Sequence, residues 1–311
     1  MFFVYAMRRV DCPSCGVTVE RVPWAVGKRP LTETYAWFLA TWARRMSWSE
    51  VAQAFRTSWE TVFRSVEMAV ARGRAHMNLE GVTAIGVDEI LWHRGHKYLT
   101  LVYQINAECK RLLWVAEGRT VRSLVGFFRW LGTERSRLIE FICSDMWKPY
   151  LKVTAKKAGQ AVHILDRFHI MQHFSKAIDE VRAKETRQMK QDGYEPILKR
   201  TRWCLLKRPE NLTEKQDLTL AELLQYNLRT MRSRIEPMKR VARMLRNHRE
   251  LILNGFRARG TISAATVEGF NNKAKLTTRK AYGFRGLKTA QIALYHALGN
   301  LPVPEITHRF C

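Results

Sequence analysis

Val82-Thr-Ala-Ile-Gly-Val-Asp88 is a run of β-branched and small apolar residues that stops at a carboxylate. Its composition, and the glycine that precedes it at Gly81, predict a buried β-strand. The pattern recurs in Leu138-Ile-Glu-Phe-Ile-Cys-Ser-Asp145, a second apolar run ending in an aspartate. A third acid, Glu268, lies in Ala264-Ala-Thr-Val-Glu268-Gly-Phe-Asn-Asn-Lys-Ala-Lys275, which reads as a helix. A carboxylate at each of two strand ends and one on a late helix supplies the hard oxygen ligands that a pair of Mg²⁺ ions needs for phosphodiester chemistry.

Working outward, Tyr98–Ile105 and Leu112–Ala116 also read as strands, the former paired with Val82–Asp88. Val121–Leu131 predicts a helix, Leu138–Ser144 a strand, Trp147–Lys157 a helix, Ala161–Leu165 a short buried strand, and Arg167 onward a long helix. Three strands followed by alternating helix and strand describe an α/β chain with a ribonuclease-H-like mixed sheet flanked by helices. Between about 181 and 249 the sequence is polar, basic and helix-forming, with breaks near Gly193, Pro196, Pro209 and Pro237 and no strand signal. It reads as a helical insertion ahead of the helix that carries Glu268. The expected order is 1–24, a partial zinc ribbon; 25–80, a helix-turn-helix; 81–180, the first part of the core; 181–255, the insertion; and 256–311, the C-terminal core helices.

The helix-turn-helix expectation rests on two capping-box patterns, Ser47-Trp-Ser-Glu50 and Thr57-Ser-Trp-Glu60, each followed by apolar residues and separated by a turn at Arg56-Thr57. The second helix would present Ser58, Thr61 and Arg64 to a DNA groove; a plain helical hairpin with a solvated face has the same pattern. Charge favours the first reading. Lys and Arg number 53 against 28 Asp and Glu, a net charge of +25, and such an excess is the usual footprint of a polyanion partner. A hydrophobic fraction of 46% excludes wholesale disorder. No apolar stretch has the length of a membrane span, and the scattered Cys109, Cys143, Cys204 and Cys311 fit a reducing cytoplasm.

Cys12-Pro-Ser-Cys15-Gly16 is a zinc knuckle, but a structural zinc takes four ligands, and the chain has no second pair of this spacing. Zn²⁺ binding through Cys12 and Cys15 is therefore expected only as a partial site.

Alternation along a strand turns Glu89 to the face opposite Asp88. At 100° per residue, Glu268, Asn272, Lys275 and Arg279 fall along one helical face, so Lys275 and Arg279 could position phosphates beside Glu268. Asp166-Arg-Phe-His169 and His173 form a second cluster, in which Asp166 and His169 would serve as auxiliary ligands or simply cap and pack a helix. His163, inside its strand, reads as a satisfied core histidine.

The succession CPSCG, the paired capped helices, GVDE, CSDMWKPY, HILDRFH, VEGFNNKAK and AYGFRGL resembles the insertion-sequence transposases of the ISL-three family, from about Arg8 to the C-terminus. These are DDE enzymes with an N-terminal zinc ribbon. The resemblance implies a catalytic triad of Asp88 in GVDE, Asp145 in CSDMWKPY and Glu268 in VEGFNNKAK. It also implies binding to double-stranded DNA at terminal inverted repeats and at a target. Hydrolysis would depend on two Mg²⁺ ions, for which Mn²⁺ substitutes, and the freed 3′-hydroxyl would then attack the target. A homodimer or larger assembly on DNA, in a prokaryotic cytoplasm at the nucleoid, follows from holding two ends together. Family members carry a further cysteine pair upstream, so the chain reads as lacking the first half of the ribbon. Two alternatives stay open at this point: a DNA-binding remnant or repressor without catalysis, and a ribonuclease-H-like nuclease that cuts without joining.

Overall fold

The computed structural model of the protein describes residues 4–25, 31–93, 95, 97–226, 228, 236–258, 262, 264–280, 284 and 286–305. Cys311 and residues 281–283 and 285 of the AYGFRGL motif lie outside the described residues.

The chain opens with an antiparallel hairpin, β1 (Arg9–Cys12) and β2 (Gly16–Val19). Three helices follow: α1 (Glu33–Trp42), α2 (Trp48–Ala54) and α3 (Trp59–Ala75). Next come β3 (Ala84–His93), β4 (Lys97–Ile105), β5 (Lys110–Glu117), α4 (Val121–Leu131), α5 (Thr133–Arg137), β6 (Phe141–Ser144), α6 (Lys148–Lys157), β7 (Val162–Leu165) and α7 (Arg167–Gln191). The remainder is helical: α8 (Arg202–Leu206), a 3₁₀ turn at Pro209–Asn211, α9 (Glu214–Leu224), α10 (Glu236–Asn247), α11 (Arg249–Arg257), α12 (Ala264–Lys280) and α13 (Leu287–Leu298). The five later strands form one mixed sheet of order β5-β4-β3-β6-β7, with β4–β5 antiparallel and β3–β6 and β6–β7 parallel. This is the ribonuclease-H-like mixed sheet flanked by helices that the strand pattern predicts.

The chain divides into two compact units, and the division falls within β3. One comprises Met1–Val82, Asp88–Arg135 and Val267–Cys311; the other comprises Thr83–Val87 and Ser136–Thr266.

In the first unit the apolar faces of β4 and β5 bury Leu99, Leu101, Tyr103, Leu112 and Leu113, and α4 adds Leu124, Phe127 and Leu131. β5 is an edge strand, and α13 takes up the backbone groups at its Val115: Tyr295 accepts a hydrogen bond from the Val115 N–H at 3.0 Å, and Gln291 donates to the Val115 carbonyl at 3.3 Å. Covering an edge in this way removes a template for pairing with another chain. The N-terminal helices pack through Trp37, Leu39, Val51, Val62 and Val66. Ser47 and Glu50 form the predicted capping box. The second cap differs from expectation: Ser58, not Thr57, accepts from the Thr61 N–H at 3.1 Å. Arg56 adopts φ +48° and Thr57 then bonds back to the Ala52 carbonyl, so the turn runs one residue longer and Glu60 is left to pair with Arg64.

In the second unit α11 packs on β7, the Asn254 side chain donates to the His163 carbonyl at 2.9 Å, and Thr154 of α6 hydrogen-bonds the His163 ring. The region expected to be a helical insertion contains no strand among the described residues, and a small cluster of Leu198, Leu223 and Leu228 organises it.

β3 is longer than the sequence run suggested. The acids Asp88 and Glu89 look like a stop, but Ile90 is buried, Leu91 is 53% exposed and Trp92 packs inward, so strand alternation continues through them. Asp88 therefore sits mid-strand, whereas Asp145 and Asp166 directly follow the ends of β6 and β7.

Candidate active site

Asp88 is the best-supported carboxylate in the first unit. Its Oδ1 accepts from the Glu89 N–H at 2.7 Å, and its Oδ2 accepts from the Asn271 side-chain amide. Asn271 is buried in α12, and its Oδ1 in turn accepts from the Tyr103 hydroxyl at 2.9 Å. Tyr103 is fully buried and stacks on Phe270, with ring centroids 4.9 Å apart. Burial, reinforced by the Asp88 charge, pushes the Tyr103 phenol well above its ordinary value, so it stays protonated and donates. This chain fixes the Asn271 amide orientation, since only its nitrogen can donate to Asp88.

Glu268 lies three residues before Asn271 on α12, so its side chain projects from nearly the same side of the helix, one turn earlier. The buried stripe of α12 is Val267, Asn271, Ala274 and Thr278. Glu268, Asn272, Lys275 and Arg279 form the adjacent stripe: Glu268 is half-buried and the other three are exposed. Glu268, Asn272, Lys275 and Arg279 share one face, as the helical period predicts, whereas Asn271 on the neighbouring stripe is not singled out by the sequence. The available signal was a polar residue recurring on the apolar stripe of a helix.

The remaining acids belong to the second unit. The Asp145 Oδ1 accepts from the Trp147 N–H at 3.0 Å, turning the chain into α6. The Asp166 side chain accepts from the Phe168 N–H at 2.8 Å as the N-cap of α7, and it lies 3.9 Å from the His169 Nε2. Ser144 pairs with Leu165 in the β6–β7 register, so Asp145 and Asp166, one residue on, occupy matching positions on adjacent parallel strands. On the other side of β6, Gly86 of β3 pairs with Cys143.

Glu89 pairs with Arg119 at 3.4 Å with its side chain only 8% exposed, an ion-pair role in keeping with its opposite facing. His173 is exposed. His163 is a structural histidine, as expected: its ring nitrogens meet Ser144 Oγ at 2.8 Å and Thr154 Oγ1 at 3.2 Å, and burial lowers its pKa to about 4.

Ser58, Thr61 and Arg64 lie at the start of α3, with Ser58 and Arg64 exposed. The Ser58 hydroxyl is engaged as the cap and with the Thr61 hydroxyl, and Arg64 pairs with Glu60 at 2.9 Å.

Cys12 and Cys15 flank the β1–β2 turn, where Gly16 takes φ +73°. Hydrogen bonds from Ser14 and then Cys15 lower the Cys12 thiol to about 6. Among the described residues, no group of three candidate metal ligands includes either cysteine.

The five-stranded mixed sheet flanked by helices defines a ribonuclease-H-like protein. A family profile described as "Transposase" matches residues 85–232 and 228–294, and the chain belongs to that family, the ISL-three transposases. The transposase for insertion sequence element IS1001 of Bordetella parapertussis is 28% identical over 313 residues, covering 89% of this chain and 76% of the relative. The transposase for insertion sequence element IS1557 of Mycobacterium tuberculosis is 28% identical over 334 residues, covering 89% and 74%. Membership of this family implies an enzyme that cuts and joins DNA.

Proposed function

We propose that the protein binds the terminal inverted repeats of an insertion sequence and catalyses strand cleavage and strand transfer through Asp88, Asp145 and Glu268. The observation that carries this reading is the Asn271–Asp88 hydrogen bond, which ties the helix bearing Glu268 to the strand bearing the first aspartate.

The donor set fits divalent cations: each residue offers carboxylate oxygens, and the oxygens of Asp88 are oriented by N–H donors. Mg²⁺ ions, when bound, supply charge stabilisation at the scissile phosphate and a more acidic water. The protein's own part is orientation. Asn271 and the Glu89 amide hold Asp88 in one rotamer, the Trp147 amide holds Asp145, and α12 presents Glu268 from its half-buried face. Lys275 and Arg279, exposed further along α12, engage flanking phosphates, and Asp166 orients His169 while capping α7. Hydrolysis breaks the P–O3′ bond at the element end and leaves a 3′-hydroxyl. That hydroxyl then attacks a target phosphorus, displacing the target's own 3′-oxygen, with no protein–DNA bond at either stage. The surface of α3 around Ser58, Thr61 and Arg64 contacts DNA, with the assembly on two ends at least dimeric.

Incubation with a labelled element end and Mg²⁺ or Mn²⁺ tests this reading. Nicking followed by joining is expected; nicking alone would indicate a nuclease, and a gel shift without cleavage a binding protein. Asp88→Asn and Glu268→Gln should each abolish cleavage and spare the shift, and cleavage surviving either change would overturn the site.

A further inference from the structure

The first unit contains a cavity of about 530 Å³ between the α1–α2 turn, the start of α3, the end of α12 and α13, in the size range of sites that hold small ligands. Its character comes from three aromatic rings. Trp48 lies 5.6 Å from Trp59 and 5.9 Å from Phe284, and Trp59 is stacked on Phe63 at 5.4 Å with the planes 4° apart. The stack fixes the plane of Trp59, yet 43% of that residue remains exposed, a costly placement for an indole unless something covers it. Arg44 and Lys280, both exposed, line the same cavity, and no carboxylate is among its described lining residues.

Aromatic walls and two cations, with the Glu50 carboxylate near Lys280 but outside the lining, suit a flat ring attached to a phosphate. We infer that this cavity receives an unstacked nucleobase from the bound DNA, the base lying against Trp48 and Trp59 and its phosphate meeting Arg44 and Lys280. The inference rests on the DNA-binding reading above and adds a site to it. Extruding a base costs stacking and pairing, which an aromatic pocket returns in part. The cavity also lies at a useful distance: Lys280 is twelve residues beyond Glu268 on α12, about 18 Å at the helical rise, or roughly five base pairs of duplex. The extruded base is therefore expected within the first turn of DNA at the cleaved end.

Duplex element ends carrying 5-iodouracil at successive thymine positions would be irradiated with the full-length protein, and the crosslinked peptide identified by mass spectrometry. A single position within that first turn should crosslink to the peptide containing Trp48 or Trp59. A mismatch opposite that position should tighten binding. Trp59→Ala should weaken binding roughly 5- to 150-fold, the range of a lost base–aromatic stack, and remove the crosslink. Lys280→Glu, which leaves the aromatic packing intact, should also remove it. A normal gel shift with no crosslink to this peptide, or a crosslink unchanged in both variants, would overturn the inference while leaving DNA binding in place. Protection of the cavity by thymidine monophosphate without any duplex crosslink would assign it to a soluble nucleotide and likewise overturn it. Absence of any shift would sink the DNA-binding reading, and this inference with it.

Discussion

Tyr103 and Asn271 stand 168 residues apart in the chain and meet in the interior, the phenol donating to the amide oxygen at 2.9 Å. The amide nitrogen passes the constraint on to Asp88. Asn271→Ala would leave a buried hydroxyl without its acceptor and the Asp88 carboxylate without a donor. The expected cost is about 1–3 kcal/mol of stability, with cleavage lost more completely than DNA binding. Tyr103→Phe removes only the outer link and should cost about 0.5–1.5 kcal/mol. Thermal denaturation read beside a cleavage assay checks both; an Asn271→Ala protein that cuts at the wild-type rate would contradict the positioning role.

Asp166 has two candidate tasks that one pair of variants separates. Asparagine caps a helix as well as aspartate does, so Asp166→Asn should keep the α7 cap and the melting temperature. Asp166→Ala should lose about 1 kcal/mol. If Asp166→Asn is as stable as wild type but fails to cleave, the residue acts in the chemistry; if it cleaves normally, it is a cap alone.

Acid should destabilise the fold through its buried histidines. Burial lowers His163 to about 4 and His296 to about 3, against an ordinary value of 6.5. Folded-state values below the unfolded value mean that the unfolded chain binds more protons in between. The stabilisation is therefore whole above pH 6.5 and is lost as pH falls through that window. Melting temperature should decline from pH 6.5 toward pH 4, and a His163→Gln protein, although less stable at neutral pH, should show a shallower decline. An equal slope in the two proteins would refute the assignment.

Arg64 pairs with Glu60 across one turn of α3, and both side chains are largely exposed, 70% and 55%. Such a pair contributes little to stability, a few tenths of a kcal/mol. Arg64→Ala should leave the melting curve nearly unchanged yet weaken DNA binding and reduce the salt slope of affinity by about 1. Filter binding at several salt concentrations measures this, and an unchanged slope would remove Arg64 from the interface.

Much of the fold was legible because its elements are locally written. Val121–Leu131 alternates with helical period and was bounded correctly, and the run up to Asp145 is a short apolar strand closed by a turn. What local pattern could not supply was the far end of β3, where two adjacent acids interrupt the apolar run, although Ile90 and Trp92 continue its inner face. The shift of the second cap from Thr57 to Ser58 has a similar origin: both residues can cap, and the left-handed backbone at Arg56 decides between them. For the site, carboxylates at strand ends are visible in a sequence, but a supporting amide is not. Asn271 and Asn272 are chemically identical neighbours, and only the packing of α12 determines which faces Tyr103.

The 183-residue separation of Asp88 from Asn271 also sets a timetable for biosynthesis. At about 5–20 residues per second, a ribosome takes roughly ten to forty seconds to travel from one to the other. Through that interval the nascent polypeptide has its first aspartate but neither Asn271 nor Glu268. A message that ends within the helices from α7 to α11 yields a product with all five strands of the sheet and without Glu268, so on the proposed triad that product does not cleave.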